Sequence, residues 1–208
     1  MSPRPRSATQ LRAAAGARRA GRAVTTDADV VMAAAAAFLA LRPRSVTETR
    51  ARLRHLGYPH ALCDEVIARL VDLGYLDDLA FSRAWVESRD RARPRGVMAL
   101  RHELRAKGVP REAIDEVLAD RSASAAGPVA GATPPLPSAD MAAARRLLAG
   151  REATLQREED PRRRRQRAYA LLARHGFTPD VCRDVAASIV AGEPDVLDDG
   201  PHLAEASV

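Results

Sequence analysis

The chain has 208 residues and a formal net charge of +6, and it is 46% hydrophobic but only 3% aromatic. Its apolar share is mostly alanine, leucine and valine, which favours closely packed helices over a β-sandwich, whose strands want aromatic and β-branched residues. The basic excess permits an anionic partner without requiring one. Cys63 and Cys182 lie far apart with no C-x-x-C, which argues against a disulfide scaffold and a zinc ribbon.

In chain order, residues 1–28 read as a disordered basic arm. Arg4, Arg6, Arg12, Arg18, Arg19 and Arg22 stand there with no acid before Asp27 and little periodic apolarity, so the segment is expected to be a random coil, either a solvated tail or an electrostatic tether to single- or double-stranded DNA. Arg18-Arg19 ahead of the apolar run from Val30 to Leu41 imitates a twin-arginine export signal, but Asp27 and Asp29 intervene and the run is too short to span a bilayer. A cytoplasmic, monomeric protein without membrane attachment is expected.

A helical pattern then runs from Asp27 to about Arg121, its first helix starting near Asp29. The first helix reaches Leu41 and stops near Pro43. Ser45 or Thr47 caps a second that ends at Gly57, and Pro59 opens a third through Leu73. After Asp78 the plan repeats: a helix to about Arg91, another from Gly96 to Lys107, Gly108 as stop, Pro110 as start. Residues 121–137 are a linker rich in proline, alanine and glycine. Helical pattern resumes over 138–191 with a break near Gly150, and the acidic segment 192–208 reads as a disordered tail. The expected organisation is a first three-helix repeat at 29–75, a second at 76–120 and a third at 138–191.

The stretch Gly74 to Trp85 joins the first two repeats with almost no loop. Gly74 supplies the left-handed turn that closes a helix, and Tyr75 and Leu76 are expected to fall back onto the core. Asp77 or Asp78 caps the next helix, on which Phe81 and Trp85, four apart, share a face. Two acids at a helix start are ordinarily a cap and a dipole partner, so acid–base or metal chemistry is not read into them.

The repeat emerges when Gly57, Gly108 and Gly176 are superposed. Leu53, Leu104 and Leu172 stand four before; Tyr58, Val109 and Phe177 one after; Cys63, Ile114 and Cys182 six after; Val66, Val117 and Val185 nine after. Each unit is three short helices, the last two forming a hairpin around the glycine. Both cysteines therefore fill a core slot that holds isoleucine in the middle unit. His55 and His60 beside Cys63 lack a fourth metal ligand.

Charge sorts by helix. The second helices are basic, with Arg50, Arg52 and Arg54, then Arg101, Arg105 and Lys107, then Arg162, Arg163, Arg164, Arg165, Arg167 and Arg174. The third helices are acidic, with Asp64, Glu65 and Asp72, then Glu112, Asp115, Glu116 and Asp120, then Asp180 and Asp184. A helix–turn–helix or winged-helix DNA-binding transcriptional regulator would send the third helix into the major groove, where phosphates repel acids. The basic helices could still follow a backbone, or the opposite charges could simply help neighbouring helices pack. No phosphate-binding loop, nucleophile elbow, H-E-x-x-H or dinucleotide fingerprint occurs, so neither an enzyme nor a cofactor is expected.

Gly74-Tyr75-Leu76-Asp77-Asp78 with Phe81, Ser82, Trp85 and Arg89 resembles the signature of the RecX family, bacterial regulators of the RecA recombinase. Arg42-Pro43-Arg44-Ser45 with Glu48 resembles the family's opening motif. Gly96, Leu100, Glu103-Leu104 and Lys107-Gly108-Val109 resemble its middle unit, and His175-Gly176-Phe177 its last hairpin turn. The resemblance covers about residues 29–191 apart from the linker, which is an insertion; Trp85 stands where tyrosine is more usual, and Thr49 and Arg50 follow Glu48 where a leucine is common. It implies an all-α fold of three tandem three-helix, helix-turn-helix-like repeats in an elongated, curved arrangement. It also implies binding to RecA filaments on DNA, and inhibition of their ATPase, recombinase and coprotease activities in DNA repair and the SOS response. Contact candidates under that reading are Arg50, Arg54, Arg101, Arg105, Lys107, Arg162, Arg163, Arg164 and Arg165, facing DNA phosphate or acidic RecA surface. Arg44, Ser45, Gly74, Asp77, Asp78, Phe81, Trp85, Gly96, Glu103, Leu104, Gly108, Gly176 and Phe177 would be structural.

Overall fold

The computed structural model describes residues 7–126 and 138–189, all of them in helices or the turns between. Residues 1–6 of the expected basic arm, residues 127–137 of the expected linker and the expected acidic tail lie outside the described residues. Three units of three helices follow one another. The first is α2 (Ala28–Leu39), α3 (Val46–Leu56) and α4 (His60–Asp72). The second is α5 (Asp78–Ala92), α6 (Val97–Ala106) and α7 (Arg111–Ala126). The third is α8 (Ala139–Ala149), α10 (Pro161–Arg174) and α11 (Pro179–Ser188), with the single turn α9 (Glu152–Leu155) inserted after α8.

Each unit closes its own core. Val31, Ala35, Leu53, Tyr58, Cys63, Val66, Ile67, Leu70 and Leu76 form the first, while Phe81, Val86, Leu100, Leu104, Val109, Ile114, Val117 and Leu118 form the second. The third is built on Ala143, Ala144, Leu148, Leu172, Phe177, Cys182 and Val185. Short helices with one apolar stripe cannot bury it alone, so three per unit is the smallest closed arrangement. Both cysteines are fully buried, their thiols on the carbonyls of Tyr58 and Phe177, and burial pushes both thiols up.

The superposed glycines make one kind of turn. Gly57, Gly108 and Gly176 have φ of 98°, 73° and 79°. In each, the glycine N–H bonds the carbonyl three back (Arg54, Arg105, Ala173) and the next N–H bonds the carbonyl of Leu53, Leu104 or Leu172. This is the Schellman motif, and its apolar residue after the glycine, Tyr58, Val109 or Phe177, is buried over that leucine. Gly74, φ 73°, ends α4 in the same way, but the residue after it differs: Tyr75 is 71% exposed, and only Leu76, at 2%, returns to the core.

Two further departures from the sequence reading concern helices. Ala8–Ala23 forms α1 rather than a coil. Ser7 and Gln10 close a reciprocal capping box at its start, and alanine supplies the highest helix propensity behind it. At the other place, α7 runs through Ala126, so Arg121, the first residue assigned to the linker, belongs to a helix.

The length of α10 differs from its counterparts. Ser45 and Gly96, twelve before their glycines, cap α3 and α6, whereas twelve before Gly176 stands Arg164, already inside α10. That helix is one turn longer at its start. Gly96 shows how tightly the ordinary start is held: a Cβ there would lie 2.2 Å from the Gly176 carbonyl oxygen. Gly96→Ala is therefore expected to lower the unfolding free energy by about 1–3 kcal/mol in a denaturant titration.

Candidate functional site

The residues that carry the sequence signature converge on two seams. At the first, the start of α3 meets the Gly108 turn: Ser45 Oγ donates to the Lys107 carbonyl (2.6 Å) and Thr47 Oγ1 to the Gly108 carbonyl (3.0 Å). Asp78 accepts from the Val46 amide at 2.9 Å, while Asp77 accepts from Leu79 and Ala80 and caps α5. The two aspartates thus divide the labour: one caps its own helix, the other reaches back to the previous unit. At the second seam the start of α6 meets the Gly176 turn: the Gly96 amide donates to the His175 carbonyl (3.0 Å) and the Met98 amide to the Gly176 carbonyl (3.1 Å). Asp140 accepts from the Val97 amide at 3.0 Å, as Asp78 does from Val46. At the second seam the free N–H groups of the helix start are satisfied by the next unit's turn and carboxylate. At the first the carboxylate takes the Val46 amide while the turn carbonyls take two hydroxyls, so at both seams helix capping and unit docking are coupled.

Charged side chains tie the seams further. Lys107 Nζ reaches Glu48 at 2.9 Å and lies 4.8 Å from the Trp85 ring centroid, and Glu48 also accepts from the Ser45 amide. Burial disfavours the charged form of Glu48, but the Lys107 and Ser45 hydrogen bonds outweigh it and hold the carboxyl below its usual range. Its contribution to stability is present above the unfolded value and lost as pH falls. Glu103 accepts from Trp85 Nε1 (2.9 Å) and Arg89 Nε (2.7 Å), and Phe81 stacks on Trp85 at 5.9 Å. In the first unit the Arg44 guanidinium covers Phe38 at 4.1 Å. Leu104 and Phe177 lie in the cores of their units.

Arg121 is the seam residue that the sequence reading passed over. Its side chain is 7% exposed, with Nε and Nη2 on Asp90 (2.8 and 2.9 Å) and Nη1 on Asp140. It therefore holds α5, α7 and α8 together. Position 121 looked like linker because a serine- and alanine-rich run follows it; the available signal was Asp140, placed after Ser138 much as Asp78 is placed after Asp77.

The contact candidates fall into distinct groups. Arg50 and Arg54 bind Asp64 of α4 at 2.9 and 3.0 Å, and Arg101 binds Asp115 of α7. Within the first two units, arginines of the basic second helix thus pair with an acid of the third, the packing alternative left open by the sequence. Arg101 holds the Asp115 carboxyl below its usual range. Lys107 is committed to the seam. Arg164 is withdrawn as a contact: it is only 7% exposed, and its Nε donates to the Glu158 carbonyl. Arg163 is exposed beside Asp160 at 3.5 Å. Arg105, Arg162 and Arg165 are exposed without an ion pair among the described residues. No group of three or more His, Cys, Asp or Glu suited to a metal occurs among the described residues, and no described helix is long and apolar enough to cross a membrane.

The fold and its seams define a tandem three-helix repeat protein whose units are joined end to end by helix-start-to-turn contacts. Family models described as the first, second and third three-helix domains of RecX match residues 32–70, 77–118 and 139–185. A regulatory protein RecX of a Mycobacterium species (strain KMS) is 32% identical over 158 residues, which cover 74% of this chain and 79% of that protein. One of Prosthecochloris aestuarii is 39% identical over 88 residues, covering 42% of this chain and 58% of that protein. The crystal structure of RecX from Lactobacillus salivarius superposes with a TM-score of 0.64 over 78% of this chain and 96% of that one; at 16% identity it speaks for the fold alone. The chain belongs to the RecX family.

The seams give two tests by denaturant unfolding. Asp78→Ala leaves the Val46 amide without its acceptor and should cost about 1–2 kcal/mol, whereas Asp78→Asn retains an acceptor oxygen and should cost far less. Arg121→Ala strands Asp90 and Asp140 and should cost about 3–5 kcal/mol, a larger loss than either single aspartate-to-asparagine change.

Proposed function

We propose that this protein binds the RecA recombinase assembled on DNA and restrains its ATPase, recombinase and coprotease activities, acting in the cytoplasm within DNA repair and the SOS response. It works by contact rather than catalysis. The observation that carries this reading is that all three units match the family in order, and that the signature residues sit in the seams joining them. Such an array can touch several neighbouring subunits of a repeating partner at once, and weak contacts at each add up through effective concentration. Exposed arginines outside the ion pairs, Arg105, Arg162 and Arg165, together with Arg163, are the proposed contacts to DNA phosphate or acidic RecA surface. Arg50, Arg54 and Arg101 would contribute only by exchanging their aspartates for the partner.

A helix–turn–helix regulator is the competing reading. It would use α4, α7 and α11 to enter a groove, and Asp64 and Asp115 on two of these helices are the acids that hold their own units' arginines, which speaks against it. The experiment is to add the protein below stoichiometry to RecA hydrolysing ATP on single-stranded DNA. Suppression is expected, and Arg105→Glu should weaken it severalfold while helicity stays constant. No suppression, combined with tight duplex binding, would favour the regulator.

A further inference from the structure

Beyond the inserted α9 and the longer α10, the third unit differs from the other two in one groove. In the first two, the position seven before the glycine is an arginine, Arg50 or Arg101, and the position seven after it is its acid, Asp64 or Asp115. The groove between second and third helix is thereby neutralised from within. In the third unit the same two positions hold Tyr169 and Arg183. The acid has become a base, and an aromatic ring stands where the arginine stood. The result is a surface cavity of about 220 Å³ lined by Arg162, Arg165, Gln166, Tyr169 and Arg183.

Two further observations point to a ligand with negative charge. Arg162 and Arg165 are exposed and carry no ion pair among the described residues, and Arg183 pairs only with exposed Asp180 of its own helix, a contact that solvent makes weak. Moreover, behind its Asp160 cap the first turn of α10 holds arginines and no acid. Cations there oppose the helix dipole, so helix stability alone would put carboxylates in their place. Arg163 is used on the capping Asp160 and Arg164 on the Glu158 carbonyl, which leaves Arg162 and Arg165 standing against the dipole without an internal partner among the described residues.

We propose that this groove between α10 and α11 is a site for single-stranded nucleic acid, with a phosphodiester held among Arg162, Arg165 and Arg183 and the adjoining base against the face of Tyr169. Guanidinium groups suit phosphate oxygens, and a half-exposed tyrosine beside them offers the stacking platform that sequence-tolerant strand binding uses. An acidic protein surface could use the same arginines, and the abasic oligomer below separates that case, since only a base can stack on the ring. The first and second units, neutralised by Asp64 and Asp115, lack the site. This deepens the proposed function by naming the unit that meets the DNA strand, but it is tested without recombinase, so either reading can fail alone.

The test is fluorescence anisotropy of the full chain with a labelled oligothymidylate, and with an abasic oligomer of equal length, across a salt series. Arg183→Asp, which restores the acid found in the other two units, should weaken oligothymidylate binding about tenfold and reduce the salt slope by about one. Arg69→Asp, the same charge change on an exposed residue of the first unit, should change affinity less than about twofold. Tyr169→Leu should cost about tenfold on oligothymidylate and leave the abasic oligomer nearly unaffected. Circular dichroism checks that each variant is folded. Equal losses for Arg183→Asp and Arg69→Asp, or no loss for Arg183→Asp, overturn the proposal. So does a loss seen only in the recombinase assay, which would assign the groove to a protein surface.

Discussion

The structure depends on the docking of a helix start onto a left-handed glycine turn. A helix leaves several amide groups without partners at its beginning, and a Schellman turn leaves carbonyls facing outward at its end. At both seams these two deficits are brought together, and an aspartate from the following unit completes the set. The first seam uses side-chain hydroxyls, Ser45 and Thr47; the second uses bare amides, which requires the backbones to come closer and leaves room only for glycine at position 96. One geometry is thus reached through two chemistries, with Val46 and Val97 held identically by Asp78 and Asp140.

This arrangement reassigns much of the charge. A chain with 33 basic residues looks like a nucleic-acid binder by count. Yet Arg50, Arg54 and Arg101 are turned onto Asp64 and Asp115, Lys107 onto Glu48, and Arg121 onto Asp90 and Asp140. What remains for a partner is a smaller set, weighted toward the third unit. Position in the repeat, rather than basic content, separates the arginines that hold the molecule together from those free to meet something else.

The three-unit architecture was legible in the sequence because Gly57, Gly108 and Gly176 impose the same offsets on the residues around them, and a positive φ is a requirement that few side chains meet. The role of Asp78 was not, since nothing local distinguishes an aspartate that caps its own helix from one that reaches an amide 32 residues earlier. Arg121 was missed for a related reason: burial of a charge is a property of three helices together, and its sequence neighbours are those of a linker. The helix at Ala8–Ala23 was written in the Ser7–Gln10 spacing, but the count of arginines and the lack of an apolar stripe outweighed that signal. Tyr75 shows the converse, a large aromatic after a stop glycine that stays outside because Leu76 fills the place in the core.

The ends of the array follow from the same turn. On the first unit the Leu56 carbonyl, the counterpart of the Lys107 and His175 carbonyls at the seams, accepts from the Arg22 guanidinium of α1, Arg19 donates to the neighbouring His55 carbonyl, and the Arg19 side chain lies where a Cβ on Gly57 would go. On the third unit the extra turn of α10 puts buried Arg164 where a helix start would be. The joining chemistry, repeated twice inside the molecule, is altered at both outer positions among the described residues. Among the described residues the repeat thus terminates itself in its own chemistry: two seams are made inside it, and the turn and the helix start left over at its ends are occupied by α1 and by the longer α10.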